Sequence, residues 1–231
     1  MAKPAPPSPR PGSLLPLAAA AGVLLVAALS WYAWRITTAA PPAPAPVAPA
    51  PAVPAGPPPP PDIPYNQLVT LAAPVAAPPL ELPTAGGKRF SLAEAKGQVV
   101  AVNFWATWCP PCAREMPSMV KLGEELAARH PGKFQMVAVS VDDQPGAVQL
   151  FFAAKPYGGL PRHVVVALEP GAGPVTRSFY CRGRGACRPE DVQFPETYIV
   201  DRAGRISAVV VGDIDWSQPA ARQYLEALIG A

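Results

Sequence analysis

The sequence predicts an α/β domain, a mixed β-sheet covered on both faces by helices, for residues 65–231. Three observations predict it. Short β-branched runs alternate with helical runs. The series ends in a hairpin and a helix, which adds antiparallel strands to a sheet whose earlier strands are joined through helices. Everything before residue 65 has a composition that builds no core of its own, whereas the residues after it suffice for one ordinary domain.

Residues 1–13 carry Lys3 and Arg10, and from Pro11 to Trp34 no residue is charged. Segment 14–34 is built mainly from Leu, Ala, Val and Gly, and Trp31, Tyr32 and Trp34 cluster at its end. About 20 apolar residues span a bilayer as a helix, and aromatic residues gather at the interface. Beyond the segment the basic residues are Arg35 and then, far downstream, Lys88. The positive-inside rule therefore expects a single-pass anchor with a cytoplasmic N-terminus and the bulk of the chain outside. A cleaved signal peptide is the competing reading. Its apolar region would be shorter, about 7–15 residues, and the small residues Thr38-Ala39-Ala40 run straight into Pro41-Pro42. Both readings export the domain.

Residues 35–64 form a Pro/Ala-rich linker. Thirteen of the 35 prolines lie between Pro41 and Pro64, where the only charge is Asp62, so this stretch is a disordered tether. As polyproline II it would reach on the order of 70 Å. Lys3, Arg10 and Arg35 also account for the whole net charge of +3: from Asp62 onward 16 basic residues face all 16 acidic ones. The domain is formally neutral and has no basic stripe with interleaved aromatics, which excludes a nucleic-acid-binding reading.

Within the domain, Leu80–Leu82 and Lys88–Leu92 flank Ala85-Gly86-Gly87 as a hairpin. Val99–Trp105 is apolar almost throughout and predicts a strand buried on both faces. A helix follows from the cysteines to about His130, with Met116, Val120, Leu122 and Leu126 at helical spacing. Pro131-Gly132 stops it, and Pro117 should kink it. Phe134–Val141 and His163–Leu168 predict strands around a helix at Gly146–Lys155. Thr197–Val200 and Ile206–Val211 predict a hairpin turning at Asp-Arg-Ala-Gly, and Ala220–Ile229 a closing helix.

The chemistry-bearing motif is Cys109-Pro110-Pro111-Cys112, placed where a buried strand hands over to a helix. A CxxC can be a redox pair, half of a zinc site or a structural bridge. At the helix start Cys109 would be the N-cap. Free N–H groups and the helix dipole there favour the thiolate, which is the nucleophile. Cys112, at the third helical position and turned inward, would resolve the mixed disulfide. Two prolines remove two of the N–H donors that could face Cys109, which argues for a weakly stabilised thiolate and a reducing pair. Zinc needs about four ligands, and Cys181, Cys187, His130 and His163 stand in no paired-ligand spacing with the motif. A structural CxxC bridge would close almost no loop.

The run Asn103–Cys112 (NFWATWCPPC) resembles the thioredoxin superfamily, and more narrowly the TlpA/ResA/CcmG group of membrane-anchored thiol–disulfide oxidoreductases. A second motif, Phe194–Asp201 (FPETYIVD) followed by Gly204, supports it, and the likeness runs from about Pro78 to Ala231. The resemblance implies a thioredoxin-like fold with an N-terminal hairpin, in the periplasm of a bacterium and held on the inner membrane. It implies a cis-proline at Pro195 packed against the dithiol, and Phe194 offering its backbone to an extended substrate. Trp108, Pro110, Pro111 and Glu196 join them as the expected substrate-binding surface. Glu196, in a Pro-Glu-Thr resembling CcmG-like members, would orient a partner or raise a thiol pKa, or else lie at a strand edge. Thioredoxin itself has a buried carboxylate at the place of Asn103; the ResA-like group instead has a Glu at the position of Glu115. Cys112 and Glu115 are i, i+3 and share a helix face, so Glu115 could handle the Cys112 proton; a solvated surface Glu is the alternative.

The chain departs from that family at 181–191 (CRGRGACRPED), expected as a long Gly/Arg-rich loop. With the CxxC identified, the remaining cysteines of an exported protein pair as Cys181–Cys187, a staple for that loop. The alternatives to a plain staple are that Arg182, Arg184 and Arg188, beside the cis-proline loop, read an acidic partner, or that the pair is a second redox relay. The first functional reading is a protein-disulfide reductase that needs no cofactor or metal. Its clients would be exported proteins, with apocytochrome c and copper-site assembly proteins as the family's examples, and a membrane thiol transporter would be its electron donor. A copper-binding metallochaperone is the alternative, against which stands the CxxC spacing in place of CxxxC with a distant His. A thiol peroxidase would need a peroxidatic cysteine in a different loop, which the sequence does not offer.

Overall fold

The computed structural model describes residues 30–31, 68–184, 188 and 191–230. The chain divides into two units, Met1–Pro49 and Ala50–Ala231. Of the first unit, residues 30–31 are described, helical and exposed. The expected anchor at 14–34 and linker at 35–64 otherwise lie outside the described residues. No helix among the described residues is long and apolar enough to cross a membrane.

In the second unit the strands are β1 (Leu68–Ala76), β2 (Glu81–Pro83), β3 (Arg89–Ser91), β4 (Val99–Trp105), β5 (Phe134–Ser140), β6 (Val164–Leu168), β7 (Glu196–Val200) and β8 (Arg205–Val211). The helices are α1 (Pro110–Arg129), α2 (Pro145–Ala153), α3 (Pro174–Arg184) and α4 (Pro219–Gly230). Six strands form one mixed sheet in the order β1-β8-β7-β4-β5-β6. β4, β5 and β6 run parallel, and β4, β7, β8 and β1 pair antiparallel. The hairpin β2–β3 forms a separate two-stranded sheet, joined to β6 by a bridge from Thr84 to Ala167.

β4 explains the layering. All seven of its residues are buried, and successive side chains point to opposite faces. Val99, Ala101 and Trp105 enter a core with Met116, Met119, Leu122 and Leu126 of α1 and Tyr224, Leu225 and Leu228 of α4. Val100, Val102 and Phe104 enter a second core with Tyr198, with Phe179 of α3, with Leu82 of the hairpin and with Leu80 just before it. Gly123 lets α1 sit close to the sheet: a Cβ there would stand 2.9 Å from Val164 and 3.0 Å from Met136. α1 runs on through Pro117. The turn between β7 and β8 is held by Asp201, whose carboxylate accepts from the N–H groups of Ala203 and Arg205 at 2.9 Å, while Gly204 takes a φ of +79°.

One element is added to the sequence expectation and one differs from it. β1 precedes the expected hairpin and carries Pro74. It is accommodated because β1 is an edge strand whose register shifts between Thr70 and Val75. The expected loop at 181–191 begins as helix: α3 extends through Arg184, with Tyr180 buried and Phe179 packed on Phe104 and Tyr198 of the sheet. Tertiary burial overrides the weak helical signal of a Gly/Arg-rich segment.

Candidate functional site

β4 ends at Trp105, and the chain turns through Ala106–Trp108 to enter α1 at Cys109. This turn is fastened from β5. The buried Asp142 carboxylate accepts from the Thr107 N–H at 3.0 Å, the Thr107 hydroxyl at 2.6 Å and the Ser140 hydroxyl at 2.7 Å. Cys109 is the N-cap of α1, with Pro110 and Pro111 in the first turn. Its Sγ accepts from the Cys112 N–H at 3.3 Å, the first N–H after the two prolines. The two sulfurs form a disulfide. Cys109 keeps 5% exposure and Cys112 none, so an incoming thiolate or disulfide meets Cys109 first.

Around the accessible sulfur stand exposed apolar groups. Trp108 is 64% exposed, and its ring lies edge-on to Phe194 at 6.2 Å between centroids. The Phe194–Pro195 peptide bond is cis, and the Pro195 carbonyl accepts from the Gly212 N–H at 3.0 Å. Pro110 is exposed and Pro111 half-buried. Trp108 and Phe194 are thus brought together beside the start of α1.

Glu115 lies one turn beyond Cys112 and is 3% exposed, not a solvated surface residue. One oxygen accepts from Asn103 Nδ2 at 2.9 Å; the other accepts from Trp216 Nε1 at 3.1 Å and Ile214 N at 3.3 Å. Asn103 Nδ2 also donates to the Thr197 hydroxyl at 3.0 Å. Burial pushes the Glu115 pKa up to about 7. The donors from Trp216, Ile214 and Asn103 pull against the rise, and the nearby Asp213 charge adds to it. A carboxyl poised there can both take and give a proton near neutral pH. Asn103 is therefore a hydrogen-bond partner of the Glu115 carboxyl.

Glu196 is not at a strand edge, nor on the open surface where it could orient a partner. β7 is paired on both sides, and Glu196 is 1% exposed and accepts from the Tyr198 hydroxyl at 2.6 Å. It shares the face of Tyr198, which packs on Phe104 and Phe179, whereas Thr197 faces Asn103 on the side of α1. Strand alternation separates Glu196 from the face of the dithiol. Cys181 is disulfide-bonded; Cys187, its expected partner, lies outside the described residues. Arg182 is exposed on α3, and Arg188 pairs with Asp191 at 3.4 Å. His130 caps the C-terminal end of α1, and His163 precedes β6.

Sequence reasoning missed Trp216, Ile214, Thr197 and Asp142. Thr197 lies in the second motif but was given no role there, the other three sit in no motif, and Trp216, Ile214 and Thr197 bond to residues roughly 90–100 positions away. Their only sequence signal is a lone Trp before the closing helix and an Asp just after a buried strand.

Comparison with known proteins agrees with this architecture. The sequence profile of the AhpC/TSA family matches residues 75–209, more than half of the chain. The chain belongs to the AhpC/TSA family. Among its relatives, the thiol-disulfide oxidoreductase ResA of Bacillus subtilis (strain 168) is 38% identical over 137 residues, 59% of this chain and 65% of ResA. The thioredoxin-like protein YneN of the same organism is 50% identical over 64 residues, 28% of this chain and 35% of YneN. The chain thus spans about a third of YneN and just under two thirds of ResA. Among solved structures, a putative thiol:disulfide interchange protein DsbE from Chlorobium tepidum is 28% identical with a TM-score of 0.55, over 70% of this chain and all of that one. The fold is thioredoxin-like, as the two motifs imply.

Proposed function

We propose that this chain is a thiol–disulfide oxidoreductase that reduces disulfides of exported proteins. The observation that carries the reading is the disulfide between Cys109 at a helix N-cap, which keeps 5% exposure, and a fully buried Cys112, with a buried carboxyl one turn on. In the reduced protein the Cys109 thiolate attacks a client disulfide. One client sulfur leaves as thiolate and the other stays bonded to Cys109. The Cys112 thiol gives its proton to the Glu115 carboxylate, and the thiolate so formed attacks Cys109 Sγ. The Cys109–Cys112 bond forms, the second client sulfur leaves with its electron pair, and two electrons have passed to the client. The Cys109–Cys112 disulfide is the form in which such a turnover would leave the pair. Trp108 and Phe194 give the client an apolar seat beside Cys109.

The same reading extends to the cell. Segment 14–34 anchors the chain in the inner membrane with its N-terminus cytoplasmic and its domain periplasmic, and 35–64 is the tether. Charge asymmetry and apolar length support this. Electrons come from a membrane thiol transporter, and the clients belong to cytochrome c maturation or metal-site assembly, as the resemblance to the ResA-like group implies. The names of the ResA and DsbE relatives support the activity.

Trapping tests it. Cys112→Ala leaves Cys109 able to attack and unable to resolve, so clients should accumulate as mixed disulfides that thiol reductant releases. Adducts equally abundant in the Cys109→Ala/Cys112→Ala double variant would refute the reading.

A further inference from the structure

The turn between β8 and α4 touches the first three turns of α1 at four points. Arg114 and Asp213 pair at 3.0 Å. Ile214 N and Trp216 Nε1 both donate to the same Glu115 oxygen, at 3.3 and 3.1 Å. Trp216 N donates to the Ser118 hydroxyl at 3.1 Å, and that hydroxyl donates to the Glu115 carbonyl at 2.9 Å. Trp216 is itself buried, in the core that also holds Cys109, Cys112 and Met116. The indole is therefore doubly fixed, by packing and by its backbone. Its N–H is aimed at one carboxylate oxygen, 101 positions away in sequence.

We propose that Trp216 is a positioning residue for the dithiol chemistry: its indole N–H holds the Glu115 carboxylate and sets how readily that carboxyl gives up its proton. The proposal rests on the proton role assigned to Glu115 above and adds what governs it. An N–H donor stabilises the ionised carboxylate and not the acid. Of the donors to Glu115, Trp216 opposes the effect of burial most strongly. Among the described residues, the titratable and charged groups facing Glu115 are few. The turn presents Asp213, paired with Arg114 of α1. α1 presents the two cysteines, which become thiols on reduction. β4 and β7 present neutral Asn103 and Thr197. Removing the indole N–H therefore changes one specific interaction within a fixed electrostatic frame.

The test uses the full-length chain. In Trp216→Phe, the carboxyl 13C resonance of Glu115 should titrate higher than in wild type by about one pH unit, the scale of one hydrogen bond to a charged group. The acid limb of the pH–rate profile for reduction of a small disulfide should move up with it, while rates converge at high pH. Replacing the indole by benzothiophene, which removes only the N–H, should reproduce both shifts if Phe disturbs the packing. An unmoved Glu115 titration in both variants overturns the proposal. A moved titration with one acid limb shared by wild type, Trp216→Phe and Glu115→Gln overturns the proton role of Glu115 itself, and the proposal with it.

Discussion

Glu115→Gln should change how the stability of the oxidised protein depends on pH. In the unfolded chain this carboxyl releases its proton near its ordinary value of 4.5, whereas in the fold burial holds the pKa at about 7. Between those two values the unfolded state binds fewer protons than the native state, so stability falls as pH rises. The contribution of the protonated carboxyl is fully present below 4.5 and is lost by the time pH passes about 7. At 1.36 kcal/mol per unit this rise amounts to about 3 kcal/mol, a large share of a typical domain's stability. Gln does not titrate and removes the slope. With its amide oxygen turned to Ile214 N and Trp216 Nε1, Gln also sets its NH2 against the Asn103 Nδ2 donor, which costs about 1–3 kcal/mol at every pH. The diagnostic is therefore the change in the difference between the two proteins, not its sign at one pH. Urea unfolding of both proteins from pH 4 to pH 8 should show that difference shifting by about 3 kcal/mol, with the loss in wild type complete near neutrality. Stability curves that run parallel across this range would refute the reasoning.

Two further outcomes follow from the same site. Asp142→Ala removes the acceptor of the Thr107 N–H and hydroxyl and should lower the unfolding free energy by about 1–3 kcal/mol. A urea midpoint equal to wild type would show that the turn before Cys109 is held by other contacts. Because a single N–H, that of Cys112, is seen donating to Cys109 Sγ, the pair should be more reducing than strong oxidants near about −120 mV. Equilibration with a glutathione buffer measures this, and a potential at or above that value would remove the reductant assignment.

Much of the frame was legible before any coordinates, because it rests on local patterns. Val99–Trp105 announces a doubly buried strand by its composition. Asp201–Gly204 announces a hairpin by its turn chemistry. Cys109-Pro110-Pro111 announces a helix start by the capping preference of the first turn. Strand β1 went unread: its register breaks around Pro74, which an edge strand accommodates. Helix α3 was hidden because its residues are poor helix formers that the second core recruits.

The sequence by itself determined the reactive pair, its place at a helix N-terminus and the neighbourhood of Glu115 on the same helix face. These depend on residues a few positions apart, and helix geometry alone relates them. Tertiary structure alone decided on which face of the sheet each carboxylate lies. Glu115 and Glu196 look alike as letters. The alternation of β7 turns Glu196 into the opposite core, while α1 presses Glu115 against Asn103, Trp216 and Ile214. That burial brings its pKa to about 7. Only the packing of β4, β7 and the turn after β8 around α1 brings those partners together, and nothing in the spacing of residues 103, 115, 197 and 216 foretells it.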